Sequence, residues 1–148
     1  MYIKQGIPAS VILILAVVMK ACGGREAVTM TPTPHDAPGP IFNRISTSST
    51  GFSIDCIPTS VTVTANITDP LGITRAVFWY RVGNDQVYVP VEMDQLMGND
   101  YSATIKALDI PVGKYGALEF YIVAEDVEGN RAKSEISATV QLLACVAD

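Results

Sequence analysis

The chain of 148 residues holds a single histidine, His35, and this scarcity limits the chemistry that it can perform. A Ser/His/Asp set and a thiol–histidine pair both need a histidine held in a pocket, whereas His35 lies in a proline-rich stretch. No glycine-rich loop follows a predicted strand and opens a helix, so a phosphate-binding loop is also lacking. We therefore predict a protein that is not an enzyme, with no catalytic residue and no cofactor.

Positive charge is also scarce in this sequence. Ten lysines and arginines stand against 15 aspartates and glutamates, which gives a net charge of −5. Both Lys4 and Lys20 precede Cys22 and no acidic residue does, so a chain beginning at Cys22 would carry a charge of −7. Because nucleic-acid binding needs a clustered positive surface, we expect no nucleic-acid partner.

Long apolar runs are lacking except for one near the N-terminus, from Ile7 to Met19. As a helix this run would rise about 20 Å, less than the roughly 30 Å of the hydrocarbon core of a bilayer. Such a length, with Lys4 as a positive flank, is typical of a signal peptide, which we place at residues 1–21. A retained membrane-spanning helix, with Lys20 reaching the interface, is the alternative.

The residues that close this run, Met19-Lys20-Ala21-Cys22, resemble the cleavage box of bacterial lipoproteins. In that family the cysteine becomes the new N-terminus and carries lipid on its sulfur and its amine. The resemblance implies that Cys22 is a lipid anchor and that a membrane is a partner through it. Ordinary secretion, or a retained anchor, would also place the remainder outside the cytoplasm. We expect a membrane-anchored protein of the cell envelope that faces the extracytoplasmic side, or otherwise a secreted one.

The chain has three cysteines, an odd number that fits this expectation. If Cys22 is acylated, Cys56 and Cys145 are left, and in an oxidising compartment they can form one disulfide. Such a bond would join the start of the folded part to its end. Two buried thiols that never meet are the alternative. A metal site is not expected, because the chain has one histidine and no CxxC spacing.

Residues 22–40 are rich in proline, with four of the nine prolines of the chain at positions 32, 34, 38 and 40. Proline sterics exclude a helix here, and few of the side chains are apolar enough to bury. We therefore predict a disordered linker that lifts a domain away from a membrane. Stretched as polyproline II, it would reach roughly 50 Å.

From residue 41 onward, apolar residues recur at every second position, which is typical of strands with one buried face. The clearest case runs from Val61 to Ile67, where valine, alanine and isoleucine alternate with polar residues. Turn sequences such as DPLG, MGND and DVEGN separate the segments, as turn chemistry requires. The predicted strands are residues 41–46, 51–56, 61–68, 75–82, 87–92, 101–106, 117–125 and 132–143. We predict a single all-β, antiparallel sandwich domain over residues 41–148.

Three stretches of this domain carry a family resemblance: VTVTANITDPLGITRAVFWYRV, MGNDYSATI and LEFYIVAEDVEGNRA. They resemble bacterial immunoglobulin-like or fibronectin type III-like modules, which show a T-D-P-x-G-I turn, a Y-x-A-x-I strand and a Y-Y-x-x-A-x-D-x-x-G-N hairpin. Phe120 stands where the first tyrosine of that hairpin is usual. The resemblance implies an immunoglobulin-like β-sandwich of about seven strands, and it implies little about function.

Two predicted strands place aromatic residues on their outward side. In strand 75–82 the arginines, including Arg81, mark the side of Trp79 as facing solvent, and in strand 117–125 Glu119 and Glu125 mark the side of Tyr121. Since the two strands are neighbours in an immunoglobulin-like order, Trp79 and Tyr121 should lie close together. Rimmed by charges, the pair could hold a sugar ring or an apolar side chain of a partner. A cross-strand pair that only stabilises the sheet is the alternative.

Acidic residues in two turns, Asp69, Asp126 and Glu128, offer oxygen atoms of the kind that bind calcium. Both turns need an aspartate for local hydrogen bonds to the backbone in any case. We therefore predict no metal at these turns.

These features together predict a non-catalytic lipoprotein of the cell envelope that displays an immunoglobulin-like module for adhesion, spacing or protein binding. One alternative is a carbohydrate-binding module that uses Trp79 and Tyr121. Another alternative is an accessory subunit of an envelope complex, which would need a broad apolar patch. The expected ligand is accordingly a protein or a polysaccharide.

Overall fold

The computed structural model describes residues 38–145, which are built almost entirely of β-strands. The signal peptide predicted for residues 1–21, the lipid anchor predicted at Cys22 and most of the predicted linker lie outside the described residues. The strands are β1 (Ile41–Thr47), β2 (Gly51–Ser53), β3 (Ser60–Thr68), β4 (Ile73–Val82), β5 (Val89–Glu92), β6 (Asp94–Gln95), β7 (Asp100–Lys106), β8 (Gly116–Asp126), β9 (Arg131–Lys133) and β10 (Ser137–Leu143). A short 3₁₀ turn, Ala107–Asp109, follows β7.

These strands form two sheets that enclose one core. One sheet has the order β1-β3-β7-β6, and the other has the order β2-β10-β8-β4-β5, with β9 paired to β8. The described pairings are antiparallel, except that β2 runs parallel to β10. The predicted all-β sandwich is thereby confirmed, although it has ten described strands, several of them very short, instead of about seven.

The core comes from alternate residues of the long strands. On β3, the apolar residues from Val61 to Ile67 are fully buried, and the polar residues between them are partly exposed, as the alternation predicts. Phe78 of β4 and Phe120 of β8 belong to the same buried cluster, with ring centroids 5.1 Å apart. Burying a side chain of this size contributes about 1.5–3 kcal/mol, so this cluster is the main source of stability.

The last predicted strand, residues 132–143, is interrupted, and the prediction of one continuous strand was wrong. β9 ends at Lys133, β10 begins at Ser137, and both pair with the edge of β8 that faces away from β4. Between them the backbone N–H of Ser134 donates to the carbonyl of Ile122 at 2.9 Å, and the Ser134 hydroxyl accepts the N–H of Ile122 at 2.9 Å. A side-chain oxygen thus replaces a backbone carbonyl in the ladder.

The segment after β2 also departs from the prediction, because β2 ends at Ser53 and not at Cys56. The Ser53 hydroxyl accepts the N–H of Cys56 at 2.8 Å and donates to its carbonyl at 2.9 Å, so the chain turns here. Cys56 and Cys145 form a disulfide, with Cα atoms 5.9 Å apart. The bond joins the loop after β2 to the residues after β10.

The two acidic turns are organised by hydrogen bonds within the protein. The buried Asp126 carboxylate accepts the backbone N–H groups of Glu128 and Asn130 and the side-chain amide of Asn130, each at 2.8 Å. Burial by itself would raise the pKa of Asp126, but these hydrogen bonds hold it below its ordinary value. In the other turn, Asp69 Oδ1 accepts the N–H of Leu71 at 2.8 Å. Both aspartates therefore shape their turns.

Candidate binding surface

The outward side chains of β4 and β8 form one surface, because the two strands pair in register over most of their length. Trp79 stands directly opposite Tyr121, and Arg81 stands opposite Glu119. β5 extends the surface on one side and β9 extends it on the other. We name this surface the outer face, and its members are Arg75, Val77, Trp79, Arg81, Tyr88, Glu92, Glu119, Tyr121, Val123, Glu125, Arg131 and Lys133.

Three aromatic rings lie together on the outer face. Trp79 and Tyr121 are stacked, with ring centroids 6.2 Å apart and planes inclined by 11°. Tyr88 meets Tyr121 edge-on, with centroids 4.9 Å apart. The ammonium group of Lys133 lies 3.7 Å from the centroid of the Tyr121 ring, a cation–π contact. Tyr121 therefore contacts Trp79, Tyr88 and Lys133, whereas the one described ring contact of Trp79 is with Tyr121.

Three ion pairs frame these rings: Arg81–Glu119, Arg131–Glu125 and Arg75–Glu92. In the last pair both side chains are exposed, at 57% and 60%, and the side chain of Arg131 is 66% exposed. Exposed ion pairs contribute little in water, typically about 0–1 kcal/mol, so an incoming charged group can replace one of their partners at small cost. The pair of Arg81 with Glu119 is more enclosed.

Glu119 anchors the end of the outer face that lies nearest to Tyr88. The Tyr88 hydroxyl donates a hydrogen bond to Glu119 Oε1, and Arg81 Nη2 lies 2.6 Å from the same oxygen. The hydrogen bond from Tyr88 and the contact with Arg81 lower the pKa of Glu119, and the bond to Glu119 raises the pKa of Tyr88. The guanidinium of Arg81 also lies 4.9 Å from the centroid of the Tyr88 ring. These contacts hold Glu119 as an anion at neutral pH.

A groove of about 250 Å³ lies on the outer face beside the stacked rings. Its lining combines an apolar floor with charged ends, and the residues are Arg75, Val77, Trp79, Tyr121, Val123, Glu125 and Arg131. Val77 is only 6% exposed although it points away from the core. The outer face therefore has a thin apolar layer of its own, partly covered by long charged side chains.

Other grooves are larger. One of about 410 Å³ lies beside the disulfide, and two of about 460 and 480 Å³ lie where β1 approaches the segment from Lys133 to Thr139. The first is lined by the polypeptide around Ser53 and Cys145 and the other two by residues of strand edges. The groove on the outer face is smaller, but it combines stacked rings with exchangeable ion pairs.

The structure brings together the four residues that the sequence nominated for this surface, Trp79, Arg81, Glu119 and Tyr121. Sequence reasoning missed Tyr88 and Lys133. Tyr88 shares the parity of Glu92, and hairpin pairing of that segment with β4 would have placed it here. Lys133 stands opposite Val123 in the β8–β9 hairpin, and counting outward from the turn would have found it.

Residues 38–145 contain neither a cluster of metal-ligating side chains nor a membrane-spanning helix. No three His, Cys, Asp or Glu side chains of this range come together as the ligands of a metal ion would. In the same range, no helix has both the length and the apolar character that crossing a bilayer requires.

No protein-family model and no curated protein matches the chain. Among solved structures, one described as "Crystal structure of Br derivative BhCBM56" is similar, at 16% sequence identity and a TM-score of 0.41. The similarity covers 56% of this chain and 80% of the other chain.

Proposed function

We propose that the protein is a non-catalytic binding module displayed at the cell envelope and that the outer face is its contact surface. The observation that carries this proposal is the stacked pair of Trp79 and Tyr121 beside a groove with charged ends. Tryptophan, tyrosine and arginine are enriched among the few interface residues that contribute most of the binding energy, and this surface contains all three. The buried core lies on the opposite side of β4 and β8, so the outer rings contribute to stability only as a surface cross-strand pair, by about 0.2–1 kcal/mol.

The module is proposed to be immunoglobulin-like. With β1-β3-β7-β6 read as A-B-E-D and β5-β4-β8-β10 as C′-C-F-G, the two strand orders correspond to those of immunoglobulin sandwiches. β2, which runs parallel to β10, is then a second part of the first strand that has crossed to the other sheet. In this order β4 and β8 are central neighbours, which is why their outward residues form a broad surface.

Anchoring through Cys22 is part of the same proposal. The disulfide of Cys56 with Cys145 is the bond that an oxidising compartment favours, and this supports export of the chain. Intact-mass analysis of the full-length product tests the anchor. We expect a chain that begins at Cys22 and carries added lipid mass, and a Cys22→Ser variant that lacks it. An unmodified chain that begins at Met1 would contradict the anchor.

Carbohydrate binding is a second candidate for the work of this surface. It is favoured by the groove, where two nearly parallel rings lie beside arginine and glutamate side chains that can bond to hydroxyl groups. A docking site within a larger envelope complex is less well supported, since such a site would need a broad apolar patch and charged side chains partly cover the apolar layer here.

The test uses Trp79, the single tryptophan of the chain, as a reporter inside the proposed site. The emission of full-length protein is followed during titration with polysaccharides of the cell surface and with fractionated envelope proteins. We expect one of these to change the emission in a saturable way. The response should be lost in Tyr121→Ala and kept in Lys106→Gln, a control on the exposed side of β7 in the opposite sheet.

Two results would contradict this proposal. One is a saturable response that Tyr121→Ala leaves unchanged, because the ligand would then bind elsewhere. The other is the lack of any response in both sets of ligands.

A further inference from the structure

Positive charge is unevenly distributed over the domain. Between residues 38 and 145 the chain has seven lysines and arginines and 12 aspartates and glutamates. The outer face holds four of these bases, Arg75, Arg81, Arg131 and Lys133, together with three of the acids. The rest of the same range has three bases and nine acids. The outer face is thus a locally cationic surface on an acidic domain.

The excess cation on this surface is Lys133. Each of the three arginines has a carboxylate partner, whereas the described contact of the Lys133 ammonium is with the Tyr121 ring. The neighbouring Arg131 is two residues away on β9 and is largely exposed. These two cations therefore stand at the edge of the aromatic surface with capacity for an anion from outside.

We propose that the outer face binds an acidic polysaccharide whose sugar rings carry carboxylates, a proposal that rests on the outer face being the contact surface. The ring of a uronate sugar has a flat side of C–H groups, and it also bears one carboxylate group. The C–H side of the sugar can pack against the Trp79 ring and the apolar floor of the groove. The described ring contact of Trp79 is with Tyr121. The carboxylate matches Lys133 and Arg131, because charge-assisted hydrogen bonds to a carboxylate are the strong ones.

The exposed ion pair of Arg131 with Glu125 leaves room for a ligand carboxylate. Arg131 holds Glu125 through one Nε–Oε2 contact of 2.7 Å at an exposed position. A guanidinium has five N–H donors, so the terminal N–H groups of Arg131 can donate to a ligand carboxylate while its Nε–H bonds Glu125. The acidic remainder of the domain would repel a polyanion and so direct it to this one face.

The experiment compares three polymers by their effect on the Trp79 emission of the full-length protein: polygalacturonate, its fully methyl-esterified form and polyglutamate. The ester retains the sugar rings without the charge, and polyglutamate retains the charge without the rings. We expect binding of polygalacturonate to be about tenfold tighter than that of either control polymer and to weaken strongly in about 1 M salt, where the screening length falls to about 3 Å.

Variants that each lose one positive charge show which side chains bind the polymer. Lys133→Gln and Arg131→Gln should each weaken the binding of polygalacturonate about threefold to tenfold. Lys106→Gln removes the same charge from the opposite sheet and should change it less than about twofold. Equal losses in Lys106→Gln and Lys133→Gln would show attraction by net charge alone and would overturn the proposal.

The remaining outcomes separate this proposal from the proposed function. Equal binding of the methyl ester would overturn the acidic ligand and leave a carbohydrate-binding face. Equal binding of polyglutamate would overturn the polysaccharide and leave a face for acidic peptides. If none of the polymers changes the Trp79 emission but an envelope fraction does, in a way that Tyr121→Ala abolishes, the acidic polysaccharide is wrong and the contact surface stands. No response to any of them would overturn both.

Discussion

The two faces of the sheet built by β4 and β8 are made from alternate residues of the same strands, yet they differ in almost every respect. On the inner face Phe78, Phe120 and Ile122 are closed off from water within one apolar cluster. On the outer face Trp79 and Tyr121 are partly exposed and surrounded by charged side chains. The inner face is consistent with a role in stability only, whereas the outer face keeps aromatic surface accessible.

The energetic scales of the two faces differ as well. A fully buried aromatic or aliphatic side chain contributes about 1.5–3 kcal/mol through burial. A cross-strand aromatic pair on a sheet surface contributes about 0.2–1 kcal/mol. Substitutions of adjacent residues in one strand should therefore separate effects on stability from effects on ligand binding.

The largest expected effect is on the inner face. Phe120→Ala removes a ring that packs 5.1 Å from that of Phe78 and should lower the free energy of unfolding by about 3–5 kcal/mol. Chemical denaturation followed by circular dichroism measures this loss. A loss below about 1 kcal/mol would show that the inner cluster is less important than its burial indicates.

Removal of the disulfide should have the second-largest effect on stability. The bond spans 89 residues, and removing a native disulfide from a small domain typically costs about 2–5 kcal/mol. A Cys56→Ala/Cys145→Ala double variant should therefore be destabilised to this extent but should keep its ligand response, because the disulfide is not part of the outer face. Loss of the response at a denaturant concentration where the variant is still folded would contradict this separation.

Tyr121→Ala provides the direct contrast with Phe120→Ala, since the two residues are adjacent in β8. We expect it to lower the free energy of unfolding by only about 1 kcal/mol, because it removes surface ring contacts. It should nevertheless abolish the ligand-induced change in Trp79 emission. A stability loss as large as that of Phe120→Ala would assign Tyr121 to the core.

The smallest effect concerns Glu119 and pH. Its pKa is lowered chiefly by the hydrogen bond from Tyr88, so its charged form stabilises the folded state. That contribution is present above the unfolded-state pKa of about 4.3 and is lost as the pH falls through the lower folded-state pKa. Tyr88→Phe should raise the pKa of Glu119 towards its ordinary value, as measured by NMR titration of the carboxyl carbon. An unchanged midpoint would show that Tyr88 does not hold this carboxylate.

Much of the fold could be predicted from the sequence, because a period of two reports directly which residues of a strand share a face. The buried residues of β3 and the meeting of Trp79 with Tyr121 were predicted in this way, the second from parity and the assumed order of the strands. Tyr88 and Lys133 were not found because they reach the surface through neighbouring strands, whose register depends on turns. The break at Ser134 depends on one hydroxyl that replaces a backbone acceptor, and alternation of apolar residues does not show such a bond.

The most direct test of the central claim asks which face of the domain contacts a partner where the protein works. A photo-reactive amino acid is placed at Glu92, on the exposed rim of the outer face, or at Lys106, on the opposite sheet, in cells that produce the full-length protein. We predict an adduct on irradiation from position 92 that is lost when Tyr121→Ala is added, and none from position 106. Adducts from position 106 alone, or an adduct from position 92 that persists with Tyr121→Ala, would contradict the assignment of the outer face as the contact surface.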